Sequence, residues 1–457
     1  MMDMSSSAKY EVLEERKDFI CLKSKGDNNL QCEKHSIAGS VSQRACVYCG
    51  ARVVLNPITD AWHIVHGPIG CASYTWDIRG SLSSGPEIYR NSFSTDIREK
   101  DVVFGGEKKL TAAIDEICEK YSPKLIFVYA TCIVGVIGDD IDAVCKKAEE
   151  KYKIRVIPVK SSGFAGNKSM GYKAACKALL KLMEKDKENK KIKGINILGD
   201  FNLAGEMWII SQYFKKIGIN IVSKFTGDSS FDEIIKAPQA SFNIVQCAGS
   251  MTYLAKEMEK KYGIPYIKVS FFGIEDTISS IINVAYAVGD NESVKKAREL
   301  IDKELKRIEP QLEFYKKRLE GKRAAIYVGG GFKAISLIKQ FNSLGMKTVM
   351  VGTQTGRAEE YEILKNIVDE GTVILDDTNP VELEKFMTEK GADILVGGVK
   401  ERPLAYKLGI AFCDHNHERK HPLCGFEGAL NFAKEIDSTI NSPVWNVIRQ
   451  GGDGYDK

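Results

Sequence analysis

Short runs of continuous apolar residues alternate along this chain with stretches whose apolar residues recur every three or four positions. The first clear example is the run KLIFVYA at 124–130, followed by a cysteine- and glycine-containing loop at 131–138. An amphipathic stretch at 139–152 and a second run, IRVIPVK at 154–160, complete the unit. Strands buried on both faces are continuously apolar, so this pattern predicts a strand–helix–strand unit in a parallel sheet.

The same unit recurs three more times toward the carboxyl terminus. Further strands are predicted at 195–198, 219–224, 241–246, 265–270, 324–328, 347–351 and 393–396, and helices at 204–216, 251–262 and 334–344. Asp139 and Asp140 are expected in the first turn of their helix, where the helix dipole favours carboxylates. The charged segment 292–323 predicts one or two helices that Pro310 kinks or divides.

These units predict an α/β fold of three doubly wound, Rossmann-like domains with parallel sheets. The expected segments are an N-terminal surface arm at 1–44 with a short helix over 11–19, domains at 45–190, 191–300 and 301–457, and a C-terminal stretch that packs back on the functional site. Ligands of such sheets bind beyond the carboxyl ends of the strands. Cys132, Cys247 and the glycines at 329–331 are predicted at those ends.

Composition excludes two classes of partner. The 65 basic and 61 acidic residues leave a net charge of +4, which gives no electrostatic basis for binding nucleic acid. No apolar run approaches the roughly 18–20 residues that a membrane helix needs. The first residues lack the basic and then apolar layout of a signal peptide, and we expect a cytoplasmic protein without membrane contact.

Cysteine, histidine and glycine are concentrated in residues 45–79. This stretch holds Cys46, Cys49, Cys71, His63 and His66. In a reducing cytoplasm, twelve cysteines point to metal binding, redox chemistry or buried thiols rather than to a disulfide framework. The density of the stretch favours a metal site, although its single C-x-x-C motif is weak evidence alone.

Three cysteines stand out because each lies in a loop beside glycine. They are Cys46, Cys71 and Cys132. Glycine lets backbone N–H groups approach a cluster sulfur, and thiolates are the preferred iron–sulfur ligands. Three thiols are one short of a full set of four, and on spacing alone buried thiols explain them equally well.

Two other segments carry weaker signals. The glycines at 329–331 precede Phe332 and Lys333 after a predicted strand, but do not match the G-x-G-x-x-G pattern of nucleotide sites. They suit any loop whose backbone must approach a bulky anionic ligand. The histidine-rich stretch 413–424 could ligate metal, but surface histidines are the simpler explanation for most of it.

Several long motifs resemble the nitrogenase component-1 α-subunit superfamily. They include NPITDAWHIVHGPIGCASYTWDIRG, FSTDIREKDVVFGGEKKL, TCIVGVIGDDIDAVCKKA, LGDFNLAGEMW and AFCDHNHERKHPLCGFEG. The similarity extends from about residue 32 to the end. Within the superfamily the chain resembles the branch that builds the iron–molybdenum cofactor more closely than the catalytic branch.

The resemblance implies a scaffold that holds an iron–sulfur precursor of the cofactor, of the L-cluster type. Molybdenum and homocitrate would be delivered transiently by the nitrogenase iron protein, and the finished cofactor would pass to apo-nitrogenase. The resemblance also implies a separate precursor-cluster donor and a homologous NifN-type subunit in an α2β2 heterotetramer. A weak reductase activity stays open.

The resemblance also implies roles for individual residues. Cys46, Cys71 and Cys132 fall on the family's ligands to a [4Fe-4S] cluster at the subunit interface, whose fourth thiolate comes from the partner. Cys247 falls on the cysteine that anchors the cofactor or its precursor. Arg79 and Lys333 fall on or near basic residues that contact it, and Lys168 is a further candidate cation of the precursor site.

Two departures separate the chain from the catalytic subunit. Lys168 and Tyr172 stand where that subunit has a glutamine and a histidine. Tyrosine, with a reference pKa of about 10, is a poor general acid or base near neutral pH. The late molybdenum-binding histidine is matched by Cys424, with Asn416, His417 and His421 as alternatives. A catalytic nitrogenase-like subunit and a nucleotide-dependent enzyme using the glycine loop are the competing hypotheses.

Overall fold

The computed structural model describes residues 14–24, 30–32, 45–76, 91–184, 191–416 and 419–445. Arg79 and His417, both predicted as site residues or alternatives, lie outside these ranges. Most of the predicted N-terminal arm and residues 185–190 lie outside them as well.

The described residues alternate strands with helices. The strands are β1 (Ile20–Leu22), β2 (Ala61–His66), β3 (Ser92–Ser94), β4 (Leu125–Ala130), β5 (Arg155–Lys160), β6 (Ile192–Asp200), β7 (Ile221–Thr226), β8 (Ala240–Val245), β9 (Tyr266–Lys268), β10 (Arg323–Val328), β11 (Lys347–Thr353), β12 (Val373–Asp376), β13 (Ile394–Gly397) and β14 (Ala411–Asp414).

Helices connect most of these strands. They are α1 (Val47–Leu55), α2 (Ile69–Trp76), α3 (Glu99–Phe104), α4 (Glu107–Tyr121), α5 (Cys132–Ile137), α6 (Ile141–Tyr152), α7 (Lys168–Met183), α8 (Glu206–Lys216), α9 (Phe231–Lys236), α10 (Ala248–Tyr262), α11 (Ile274–Val288), α12 (Asn291–Leu319), α13 (Gly331–Ser343), α14 (Ala358–Ile367), α15 (Pro380–Glu389), α16 (Arg402–Lys407) and α17 (Gly425–Ile440). Short 3-10 turns lie at Glu14–Phe19, Gly163–Ala165 and Ala237–Gln239.

The strands form three separate sheets. Their orders are β3-β2-β4-β5, β7-β6-β8-β9 and β1-β12-β11-β10-β13-β14. Every pairing among these named strands is parallel except that of β1 with β12. Helices cover both faces, which confirms the α/β class predicted from the alternating pattern.

Strand β4 shows why its sequence is continuously apolar. All six of its residues are buried. Leu125, Phe127 and Tyr129 face one hydrophobic cluster, whereas Ile126 and Val128 face another on the opposite side of the sheet. Successive side chains of a strand point to opposite faces, and here both faces are covered.

The segment after β4 differs from its prediction. Residues 132–137 form α5 instead of a loop. Asp140 caps α6 by accepting a hydrogen bond from Ala143 N, so it precedes the first turn. Asp139 lies outside the helix and its carboxylate accepts the Gly106 N–H at 3.0 Å. The two carboxylates therefore satisfy backbone donors instead of lying within the helix.

Pro310 does not divide the long charged segment. Helix α12 runs through it as one element. Buried Ile308 and Leu319 anchor α12 on both sides of the proline, and α12 packs along α17. This tertiary packing offsets the cost of about 3 kcal/mol that a proline imposes inside a helix.

The expected N-terminal surface arm is partly wrong. Strand β1 adds to the edge of the third sheet, antiparallel to β12, with Ile20 opposite Leu375. Arg16 is buried and pairs with Glu382 at 2.9 Å. Buried charges are retained in proteins when they are paired, and this pair fixes the N-terminal segment on the last third of the chain.

No helix in the described part of the chain is both long and apolar enough to cross a membrane.

Helices α1 and α7 cross at backbone-to-backbone distance. A Cβ added at Gly50 would lie 2.1 Å from the carbonyl oxygen of Lys168, and one added at Gly171 would lie 2.0 Å from that of Val47. Neither obstacle can move without shifting a helix. Glycine at both positions is therefore a requirement of the crossing.

We predict that Gly50→Ala or Gly171→Ala lowers the free energy of unfolding by roughly 3 kcal/mol or more, because the added methyl group forces the helices apart. Urea denaturation followed by circular dichroism measures the change. Gly249→Ala is the control, since a Cβ there meets no atom within 4 Å. Unchanged midpoints in both crossing variants would contradict the prediction.

Candidate functional site

A cavity, here called the central cavity, opens where the carboxyl ends of strands from the second and third sheets face α7. It encloses about 1080 Å³ of space free of protein atoms, counting its mouth. Residues after β6, β8, β10, β11 and β14 line it, together with residues of α1 and α7. Loops beyond the carboxyl ends of parallel strands are the usual ligand sites of such sheets.

Cys247 lies on the wall of the central cavity. It is the N-cap residue of α10 and is half-buried. The N-terminus of a helix favours a bound anion through the dipoles of its N–H groups. Gly199, with a φ of +91°, packs against Cys247, and a Cβ there would lie 2.7 Å from the cysteine backbone nitrogen. The end of β6 thus leaves space for this cysteine.

Two predicted cations also line the cavity. Lys168 is the first residue of α7 and its Nζ lies 6.0 Å from the ring centre of Tyr172. Lys333 Nζ donates a hydrogen bond to the His415 carbonyl at 3.1 Å. Burial and the nearby guanidinium of Arg419 lower the pKa of Lys333 to about 8, which leaves it mostly protonated at neutral pH.

Arg419 is a wall residue that the sequence analysis missed. Its Nε lies 3.3 Å from Glu206 Oε1, and the two side chains are 6% and 1% exposed. Asp200, at the end of β6, has its pKa raised to about 7 by burial and then by the Glu206 carboxylate. The available signal in the sequence was a cation inside the histidine-rich stretch 413–424.

The wall therefore carries three cations and two acids. The cations are Lys168, Lys333 and Arg419, and the acids are Asp200 and Glu360. Burial raises the pKa of Asp200, and even with both acids ionised the three cations outnumber them, so the balance is positive. Such a wall suits a negatively charged ligand.

Cys424 is not among the described residues that line the cavity. It is fully buried, and its Sγ accepts a weak contact from Gln246 Nε2 at 3.7 Å. Of the alternatives at this position, Asn416 lines the cavity, whereas His421 is exposed. The structure thus brings Cys247, Lys168 and Lys333 together on the cavity wall. Cys424 is buried in the core and is not part of that wall.

Cys46, Cys71 and Cys132, here called the cysteine triplet, meet at a second place. Each lies at the start of a helix, as the N-cap of α1, the third residue of α2 and the first of α5, and each is half-buried. The Gly163 N–H donates to Cys132 Sγ at 3.1 Å, and a Cβ at Gly163 would lie 3.7 Å from Cys46 Cβ. Burial, followed by the two neighbouring cysteines, raises the pKa of Cys71.

The triplet does not suit a single ion. No three His, Cys, Asp or Glu side chains in the described ranges converge on one metal position. Three thiols around a wider space, at helix N-termini and with a backbone N–H on one sulfur, suit an iron–sulfur cluster. The fourth thiol of such a set is not among the described residues at this place.

The other candidates of residues 45–79 have structural roles. Cys49 is buried inside α1, and burial raises its pKa. His63 Nδ1 contacts the Tyr129 hydroxyl at 3.0 Å, and His66 contacts Asp139 and Thr95. The initial expectation of one metal site built from this stretch is therefore not met, because its histidines contact core side chains of other elements instead of joining the cysteines.

Comparison with known proteins agrees with this fold. Residues 46–441 match the nitrogenase component 1 type oxidoreductase family, and the chain belongs to that family. It is 70% identical to the nitrogenase iron-molybdenum cofactor biosynthesis protein NifE of Clostridium pasteurianum, over 96% of this chain and 97% of that protein. It is 53% identical to the protein of the same name from Methanosarcina barkeri, over 96% and 98%.

A solved structure, "Nitrogenase Cp1 at pH 5", superposes with a TM-score of 0.86 at 31% identity, over 95% of this chain and 96% of that chain. The superfamily and the fold class expected from the sequence are thereby confirmed. The chain is a relative of iron–molybdenum cofactor biosynthesis proteins.

We predict that iodoacetamide labels Cys46, Cys132 and Cys247 of the cluster-free protein before Cys145 and Cys176. Cys145 and Cys176 are buried, and burial raises the pKa of both to about 12, so their thiols are both less accessible and less ionised. Peptide mass spectrometry after timed labelling measures the order. All cysteines should react alike in urea, and fast labelling of Cys145 or Cys176 in the folded protein would refute the prediction.

Proposed function

We propose that this chain is the scaffold subunit on which the iron–molybdenum cofactor of nitrogenase is assembled. The observation that carries the proposal is the 70% identity, over nearly the whole chain, to a protein named for that biosynthesis. In our proposal the central cavity holds an iron–sulfur precursor of the L-cluster type while molybdenum and homocitrate are inserted. The product then passes to apo-nitrogenase.

The cavity chemistry supports holding and release. Among the described wall residues Cys247 is the one thiol, and none is a histidine. A single metal–thiolate bond anchors the cargo cluster specifically, and the positive wall offsets its negative charge. Fewer protein ligands leave more metal positions free for exchange. Such a wall suits a carrier better than a permanent cofactor site.

The glycine loop supports the same use. Gly329 and Gly330 line the cavity, and a Cβ at either position meets no atom within 4 Å, so a side chain there would take up ligand space. Tyr172 stands on the same wall, and burial raises its pKa further. A phenol so hard to deprotonate is a poor proton carrier at neutral pH, which disfavours the catalytic alternative.

We further propose that the cysteine triplet holds a resident [4Fe-4S] cluster shared with a homologous NifN-type subunit. Exposed apolar side chains surround the triplet and support such an interface. They are Ile69, Val103, Phe104, Val136 and Phe164, between 58% and 87% exposed. Each belongs to an element that carries or touches a triplet cysteine or packs on such an element. Clustered apolar exposure of this kind marks protein interfaces.

The pairing would complete the cluster with a thiolate of the partner and give an α2β2 heterotetramer. We place the work in the cytoplasm, where reducing conditions keep cysteines as thiols. The nitrogenase iron protein and a precursor-cluster donor complete the expected set of partners.

For the cargo site, we predict that Cys247→Ser lowers the bound precursor iron by roughly tenfold or more, because the anchor thiolate is lost. Precursor iron is the total iron minus that of the interface cluster. The measurement is iron content and the precursor EPR signal after anaerobic co-purification with the partner subunit. Cys145→Ala is the control, because Cys145 is a buried thiol in α6, which does not line the cavity. Wild-type iron and an unchanged precursor signal in the serine variant would rule the cargo anchor out.

For the interface site, we predict that alanine at Cys46, Cys71 or Cys132 abolishes the [4Fe-4S] EPR signal and weakens the heterotetramer, since the cluster bridges two chains. Size-exclusion chromatography under anaerobic conditions reports the assembly. The same Cys145→Ala control should keep both signal and assembly. A full cluster signal in all three single variants would sink the assignment.

A further inference from the structure

Arg419 presents an incompletely used guanidinium to the central cavity. Its side chain is 6% exposed and lines the cavity. Its Nε and Nη1 are buried, and neither has a hydrogen-bond partner within the described chain. A buried N–H without an acceptor costs free energy, and guanidinium carries five such donors in a fixed planar fork. Both N–H groups therefore still need an acceptor from outside the described chain.

Glu206 balances the charge of Arg419 without filling that fork. Glu206 Oε1 lies 3.3 Å from Arg419 Nε, but it also has no hydrogen-bond partner. The other carboxylate oxygen, Oε2, accepts the Ala204 N–H at 2.8 Å. Glu206 is thus held by its own helix start, and its contact with Arg419 is an ion pair without hydrogen-bond geometry.

Both Lys333 and Arg419 lie near the ring of Phe272, but they differ in their hydrogen bonds. Arg419 Cζ lies 5.9 Å from the ring centre and Lys333 Nζ lies 5.6 Å from it. Lys333 already donates to the His415 carbonyl, which occupies part of its capacity. Arg419 is packed against the ring with no such bond to its Nε or Nη1. Contact with an aromatic face restricts the guanidinium plane.

A planar fork and a point charge recognise different anions. An ammonium such as that of Lys333 neutralises any nearby negative charge, including a sulfide-rich cluster face. A guanidinium matches the two oxygens of one carboxylate with two parallel hydrogen bonds. The two neighbouring cations of the wall can therefore serve different parts of one cargo.

We propose that Arg419 binds a carboxylate of the organic acid that joins the cluster during maturation, through Nε and a terminal nitrogen. The ligand class is a hydroxylated polycarboxylate of the homocitrate type. Glu206 is the internal competitor, which holds the guanidinium loosely until the acid enters. This inference rests on the proposed scaffold function, because it takes the central cavity as the place of maturation.

The test uses the anaerobic heterotetramer loaded with precursor and ¹⁴C-labelled homocitrate in equilibrium dialysis. Arg419→Lys keeps the charge but removes the fork, so we expect the acid to bind about tenfold or more weakly. Glu206→Gln removes the competing charge with little change of shape, so we expect tighter binding, by severalfold. Iron content and the precursor EPR signal are measured on the same samples, and acid binding is expressed per precursor-loaded complex.

Arg318→Lys is the matched control, since Arg318 Nε also contacts a carboxylate, Asp437 Oδ1 at 2.8 Å, but its side chain is 46% exposed. It should bind the acid as the wild type does. Wild-type affinity in Arg419→Lys, or weaker binding in Glu206→Gln, overturns the proposal. So does loss of precursor iron from Arg419→Lys with unchanged acid binding, which would assign Arg419 to the cluster.

The scaffold function is tested separately, before the acid is added. A wild-type complex without precursor iron contradicts that function. A wild-type complex that holds the precursor but binds no acid contradicts only the role of Arg419.

Discussion

Backbone contact between α1 and α7 at Gly50 and Gly171 determines how the two candidate sites lie relative to each other. Cys46 caps one end of α1, and Val53 of the same helix lines the central cavity. Helix α7 begins at Lys168, on the cavity wall, one residue after Asn167, which forms a backbone bridge with Cys46. One pair of helices is thus the partition between the cysteine triplet and the cavity. Side chains larger than hydrogen at the crossing would push the two sites apart.

The common direction of the parallel strands brings the residues of the central cavity together. Strands β6, β8, β10 and β11 all point their carboxyl ends at the cavity. Cys247, Asp200 and Gly329 come directly after or at such ends, so residues far apart in sequence share one wall. Sheet polarity concentrates loop backbone and helix N-termini at one place, which is why an anionic cargo fits there.

Local pattern was sufficient to predict those strand ends, and with them Cys247 and Lys333. A strand followed by glycine or cysteine and then by a helix is a short-range signal. The helix α5 was missed because its six residues, CIVGVI, are too few to show a helical period. Strand β1 was missed because its pairing with β12 joins residues more than 350 positions apart. No local pattern carries such a contact.

Arg419 shows the same limit within the site itself. Its partner Glu206 is the first residue of α8, more than 200 positions earlier in the chain. The N–H groups of Arg419 that lack an acceptor are visible only once both side chains are buried together. The buried charges also connect stability with function. Arg419 and Glu206 cost free energy when they are desolvated, and an ion pair without hydrogen bonds recovers only part of that cost. In our proposal, a ligand carboxylate that completes the guanidinium fork recovers more of that cost, and the recovered free energy contributes to binding of the acid.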